Sequence, residues 1–234
     1  MVIGLALLPA VGNISGGVLA ERFYPSKKLL NCALHGATGI ILAVVSVEVM
    51  PVALHSAPPW LLALAFLAGG GTYLLIETGV DRCQQSEHAG AWMVYMAVAG
   101  DLVGDGLLIG AGSAVSSHMA LILALGQILA DIPEGFAVVA NFRDKGVGRA
   151  KRLMISASFV VPVVGTAVLA YFTLRSQPEA VKMAGVVFVA GLYMLAAVED
   201  MLREAHESAT DSRWSAVSLL AGFALFLVVA GELG

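Results

Sequence analysis

The chain has 234 residues, of which 59% are hydrophobic and only 13% charged. An ordinary soluble domain carries about 25% charged residues, so this composition excludes a soluble globular protein. The formal net charge is -4, and the basic residues sit in short loops and form no stripe, which excludes a nucleic-acid partner.

Eight apolar runs of roughly 20 residues follow one another, each long enough to cross a ~30 Å hydrocarbon core as a helix. They cover approximately 1–20, 30–54, 59–80, 91–114, 118–141, 153–174, 181–202 and 214–233. Short polar turns separate them, with no low-complexity stretch, long linker or short-period repeat. The expected fold is an all-α polytopic membrane protein, one domain over 1–234 built as a bundle of eight transmembrane helices. The first run lacks a charged n-region and an A-x-A-like cleavage site, so it reads as a span and not as a cleaved signal peptide. Cys32 and Cys83 adjoin apolar runs at no metal-ligand spacing and read as small buried thiols.

Lys and Arg concentrate in cytoplasmic loops. Loop 1–2 holds Arg22, Lys27 and Lys28, loop 3–4 holds Arg82, and loop 7–8 holds Arg203 and Arg213. Loop 5–6 holds Arg143, Lys145, Arg149, Lys151 and Arg152, and the opposite side has only Arg175 and Lys182. This sorting predicts both termini outside a cytoplasmic membrane, with the basic loops inside. Glycines recur in the third span (Gly69, Gly70, Gly71) and the fourth (Gly100, Gly104, Gly106, Gly110, Gly112), where small residues let backbones approach closely. In the third, packing alone is the preferred reading; in the fourth, glycines flank charges and could also make room for a ligand.

Six acids fall inside apolar runs: Glu48, Glu77, Asp101, Asp105, Asp131 and Glu134. Each costs at least ~2.5 kcal/mol at a helix centre on insertion scales, which makes an intramembrane acid a functional candidate by default. No Lys or Arg lies inside a span to neutralise them, so a bound cation or a proton must. Asp101 and Asp105 are four apart, Asp131 and Glu134 three apart, so each pair lies on one helix face. At 1.5 Å per residue, Asp101 lies about 15 Å in from one side and Asp131 about 20 Å in from the other. Both pairs thus reach the middle of the membrane and offer hard oxygen ligands for a divalent cation. Pro133, between the second pair, frees a carbonyl near Leu129, which is tolerated where it lines a cavity or is re-satisfied by neighbours. Sites at the midplane beside broken helices are a transporter habit.

Ala130-Asp131-Ile132-Pro133-Glu134-Gly135 resembles the fifth-helix signature of the ZIP (Zrt/Irt-like) metal transporters, His/Gln-Asn/Asp-x-Pro-Glu-Gly in prokaryotic members. Asp101-Leu102-Val103-Gly104-Asp105-Gly106 resembles the fourth-helix signature His-Asn/Ser-x-x-Glu/Asp-Gly. Gly39 to Pro51 looks like the second helix, Val160 to Gly165 like the sixth and Gly191 to Ala205 like the seventh. The resemblance covers essentially the whole chain, although only the fifth-helix segment is specific to the family. It implies eight spans with both termini outside and a binuclear metal site fed by the two signatures and a sixth-helix Glu. By position, the fourth-helix His is Asp101 here, the following Asn is Leu102, the fifth-helix His or Gln is Ala130, and the sixth-helix Glu is Val161. What remains is an all-carboxylate set, Asp101, Asp105, Asp131 and Glu134. It suits Mn, Mg or ferrous iron better than a softer Zn site, although the Irving–Williams order still lets Zn bind.

Gln127, one turn above the second pair, is a candidate neutral oxygen ligand, with an interhelical hydrogen bond as the equal alternative. Glu48, near the outer end of the second span, is a candidate attractor at the entrance, with an interfacial acid as the equal alternative. Glu77, Glu199 and Asp200 read as solvated helix ends, His35 as a packing histidine ahead of a residue that helps release metal. His55, His88, His118 and His206 lack His-x-His spacing and read as surface residues, and Met119, Met154 and Met194 as core.

The function expected is a transporter moving a divalent cation (Zn, Fe or Mn) into the cytoplasm, with no enzymatic activity and no resident cofactor. Its partners are the metal ions as substrate and the lipid bilayer, and homodimerisation is left open. No Walker-type motif is present, so ATP does not power it directly. Four acids at one depth cannot all stay ionised when empty, so an incoming metal displaces protons. Two alternatives stand beside this reading. An intramembrane carboxylate enzyme is disfavoured, because Leu102 breaks the Gly-x-Gly-Asp pattern of aspartyl proteases and Asp105-Gly106 is not followed by Ala-Arg. A metal-binding homologue that does not transport is kept alive by the missing ligands.

Overall fold

The computed structural model describes residues 1–23, 26–83 and 90–233, with side chains described throughout except at 80–83 and 90–97. Arg82, Cys83 and His88 therefore lie outside the described side chains. The chain is all-helical, with no strand among the described residues. Eight helices are long and apolar enough to cross a membrane: α1 (Val2–Arg22), α2 (Lys27–Ser56), α3 (Pro59–Cys83), α4 (Gly90–Val115), α5 (Ser117–Asp144), α6 (Arg149–Leu174), α7 (Glu179–Ser208) and α8 (Arg213–Leu233).

Helix starts follow local chemistry. Ser26 and Ser116 cap α2 and α5 by accepting hydrogen bonds from Leu29 N (3.2 Å) and Met119 N (3.0 Å), which satisfies a donor that a helix start leaves free. Several helices outrun their apolar segments. α7 continues through the polar stretch Arg203 to Ser208, because hydrogen bonding, not hydropathy, sets where a helix ends. α5 runs through Pro133 without a break, so the discontinuous helix of many transporters is not what this proline makes. Two helices instead carry a π-turn, α2 at Val44–Val49 and α7 at Ala197–Met201. Each inserts a residue and re-aims the side chains that follow, which a strict 3.6-residue reading cannot foresee.

Each of the first four helices packs most closely on one of the last four: α1 on α5, α2 on α8, α3 on α7 and α4 on α6. Glycine makes these seams. A Cβ on Gly16 would stand 2.0 Å from the Ile132 carbonyl oxygen, and one on Gly135 2.0 Å from that of Asn13. Gly39 and Gly222 bear the same relation across α2 and α8, and Gly69 and Gly191 across α3 and α7. Lipid offers no hydrophobic drive for helix association, so contact at this range supplies it by dispersion. On α4, Gly106 and Gly110 meet the α6 carbonyls of Val163 and Ala167, so in the fourth span too these glycines serve packing. The apolar windows of α4 and α5 are each 67% buried, those of α3 and α8 only 17%, so the helices bearing the acid pairs form the centre of the bundle.

The basic loops gather at one end. Arg152 of α6 grips Glu21 of α1 through Nε to Oε1 (2.6 Å) and a second nitrogen to Oε2 (2.8 Å). Ser208 Oγ donates to the Lys27 carbonyl (3.4 Å), and Arg203 reaches Glu77 (3.4 Å). At the opposite end, His118 meets the Leu233 carbonyl oxygen (2.9 Å). The grouping of loops expected from charge is therefore present in the fold. Met154, expected in the core, is 72% exposed, because it lies on the outward face of the short amphipathic start of α6.

Candidate metal site

α4 and α5 run antiparallel at the centre of the bundle, so ascending positions on one meet descending positions on the other. Asp101 consequently stands beside Glu134, and Asp105 beside Asp131. Asp131 and Glu134, one turn apart, also touch. The four acids picked from the sequence thus occupy one place. Asp105, Asp131 and Glu134 are 1%, 0% and 3% exposed, and Asp101 is partly exposed.

None of the six carboxylate oxygens of Asp105, Asp131 and Glu134 accepts a hydrogen bond from a described donor. No ion pair among the described residues includes any of the four acids. A buried polar group without a partner costs on the order of 1–3 kcal/mol, more for a charged one, so this concentration of acceptors is stable only when it shares protons or holds a cation. The donor set is all oxygen, which fits a hard or borderline divalent ion. The acids pair across the helices and do not converge; the one group of three potential ligands drawn within 4.8 Å among the described residues lies elsewhere. An ion bridging Asp105 and Glu134 calls for a rotamer change.

Gln127 donates from Nε2 to the Asp105 backbone oxygen (3.2 Å), so the interhelical hydrogen bond is present. Its Oε1 is buried and without a donor, which leaves that oxygen free to be a ligand as well. Glu48 is different: it sits half-buried in the π-turn of α2, where the charge it feels is that of His118. It is therefore separate from the central four and is not part of their site. Val161 is 73% exposed and supplies nothing to the site, and Leu102 and Ala130 are fully buried apolar positions. Glu77 and Asp200 end in the Arg203 guanidinium (3.4 and 2.6 Å), in keeping with helix-end acids.

Two residues of the site were missed by the sequence reading. The Tyr193 side chain of α7 stands beside Asp105, and Gly104 lies 3.3 Å from its ring at the Cβ position; a tyrosine in an apolar run gives no signal of its own. Asn13 of α1 is 1% exposed, and neither of its amide atoms has a partner, while its backbone abuts Gly135, next to Glu134. Its signal was legible: an amide inside an apolar run carries the same desolvation problem as an acid.

No protein-family model matches the chain, and no curated protein matches it.

Proposed function

We propose that this chain is a divalent metal cation transporter of ZIP type, a multi-pass protein of the cytoplasmic membrane with both termini outside, that takes Zn, Fe or Mn into the cytoplasm through the carboxylates between α4 and α5. The observation that supports it most is the buried, donorless set Asp105, Asp131 and Glu134 at the centre of an apolar bundle. No guanidinium or ammonium among the described residues pairs with it, so that set is neutralised by shared protons or by an exogenous cation. An ion arriving from outside passes Gln127 Oε1, a neutral oxygen, and is received by Asp105 and Asp131; Asp101, the partly exposed member, and Glu134 lie one turn nearer the basic end and pass it on. Protons held among the carboxylates leave as the ion binds. A falling pH returns them, so metal affinity falls with pH.

The absence of nitrogen and sulfur donors makes discrimination for Zn over Mn or ferrous iron shallow. Asp101→His restores an imidazole and should shift competition toward Zn. Uptake of radiolabelled Mn, Fe and Zn into proteoliposomes tests the reading, with Asp105→Ala/Glu134→Ala as control; uptake by the control equal to that of the parent overturns it. A second reading, a homologue that binds without transporting, is favoured by the pairwise arrangement of the acids and by apolar Leu102 and Ala130. Saturable metal binding without uptake would select it.

A further inference from the structure

At the basic end of the bundle, His35 of α2, His206 of α7 and Asp211 of the α7–α8 turn each bring one ligand atom within 4.8 Å of the other two. Hydrogen bonding fixes the state of His35. Its Nδ1 lies 2.9 Å from the Asn31 carbonyl oxygen, which only accepts, so Nδ1 carries the proton. In a neutral ring Nε2 then holds a lone pair, and it faces Asp211 Oδ1 at 3.6 Å. Two acceptors confront each other, and a positive species belongs between them.

The surroundings hold these atoms in place. The two N–H groups of Asn31 Nδ2 are shared among Asp211 Oδ1 (3.1 Å) and the carbonyls of Ala205 (2.9 Å) and Ala209 (3.0 Å), while its Oδ1 accepts from Ser215 Oγ (2.6 Å). Asn31 and Ser215 are each 1% exposed and His35 5%. A ligand histidine that donates its other N–H to a backbone carbonyl, beside a hydrogen-bonded carboxylate, is the usual outer shell of a metal site. His206 Nε2 stands 2.8 Å from Asp211 Oδ2, and the two imidazoles are 5.9 Å apart at 65°. Tetrahedral zinc, with donors about 2.0–2.2 Å away, separates them by about 3.3–3.6 Å. His35 Nε2 and Asp211 Oδ1 are already at that distance, all three ligand atoms lie within 4.8 Å of one another, and His206 is exposed and free to adjust.

We propose that His35, His206 and Asp211 form a second divalent-metal site, of the zinc class by its two imidazoles and one carboxylate, with water as the fourth ligand. It is chemically unlike the all-oxygen centre and independent of the transport reading. An ion here ties α2, α7 and the α7–α8 turn together. On binding, His206 Nε2 must present its lone pair: a neutral ring carries its proton on Nδ1, and a protonated ring releases one proton to solvent, so the divalent ion adds at least one net positive charge beside Asp211.

Zinc K-edge absorption on the purified full-length protein, stripped with chelator and reloaded near neutral pH, reads the two sites apart. The parent should show imidazole scattering together with an oxygen-only population, and bind two zinc-site equivalents. His35→Ala/His206→Ala should lose the imidazole scattering and half the bound zinc, and Asp105→Ala/Glu134→Ala should keep the imidazole and lose the oxygen-only population. If the double histidine variant fails to fold, exposed His206→Ala alone should lower imidazole coordination from two to one. No imidazole scattering in the parent, or imidazole scattering that persists undiminished in the histidine variants, overturns the proposal. A parent with imidazole but no oxygen-only zinc upholds this site and counts against the central one.

Discussion

Glu21 and Glu134 are buried side chains of the same type, and the protein treats them in opposite ways. Glu21 is clasped by Arg152 through both carboxylate oxygens, with side chains 8% and 9% exposed. Glu134, with Asp131 and Asp105 beside it, meets no described cation and no described donor. Glu21 at the basic end is neutralised from within the chain, and the acids at the centre are left to something from outside. A structural acid is recognised by its partner, a functional one by the lack of it, and burial alone does not separate them.

The largest expected effect tests the central half of this contrast. Asp105→Ala/Glu134→Ala should bring metal uptake to background while leaving thermal stability unchanged or raised, since it deletes acceptors that nothing in the fold satisfies. A large loss of stability in metal-free protein would mean these acids hold the bundle together. Arg152→Ala tests the other half. It removes the bidentate clasp and leaves Glu21 the exposed Arg149 at 3.7 Å; the loss should be about 3 kcal/mol in denaturation, against less than ~1 kcal/mol for Arg203→Ala, whose side chain is 56% exposed. Equal losses would erase the distinction between clasped and solvated pairs. Next in size, Gly16→Ala should cost about 1–3 kcal/mol through overpacking, whereas Gly71→Ala, which meets nothing within 4 Å, should be neutral. The smallest effect is at Asp211, where the Asn31 amide and then His206 hold the carboxyl below the usual carboxylate range. A lowered folded-state value gives stability that is present above the ordinary carboxylate pKa and is lost as pH falls through the folded one. In chelator, the stability difference between the parent and Asp211→Asn should therefore shrink as acid is added; a difference that grows would reverse the sign.

The eight helices and the meeting of the two acid pairs were legible in the sequence, because apolar length and the three- and four-residue spacings act within single helices. Which acid faces which was not, since cross-pairing of Asp101 with Glu134 depends on the antiparallel register between helices. Glu48, read from the sequence as an acid near the outer end of its span, lies in a π-turned stretch near His118, which nothing in the sequence foretells. The His35, His206 and Asp211 cluster escaped because its members come from three elements brought together by Asn31, and no spacing rule spans 176 residues from His35 to Asp211. Val161, the position that the resemblance matches to a sixth-helix Glu and that the sequence leaves without a ligand, is 73% exposed.

The glycine seams have a consequence for how the protein is made. Every helix of the first half finds its closest partner in the second half, so none of the four seams can close until α5 has left the ribosome. Synthesis proceeds at about 5–20 residues per second, and the stretch from Gly16 to Gly135 therefore keeps α1 waiting on the order of ten seconds. During that interval four helices sit in the membrane with bare glycine faces, open to contact with whatever other helices are being inserted nearby. The two halves are thus obligate complements: a chain cut short after Val115 is half of every joint and the whole of none.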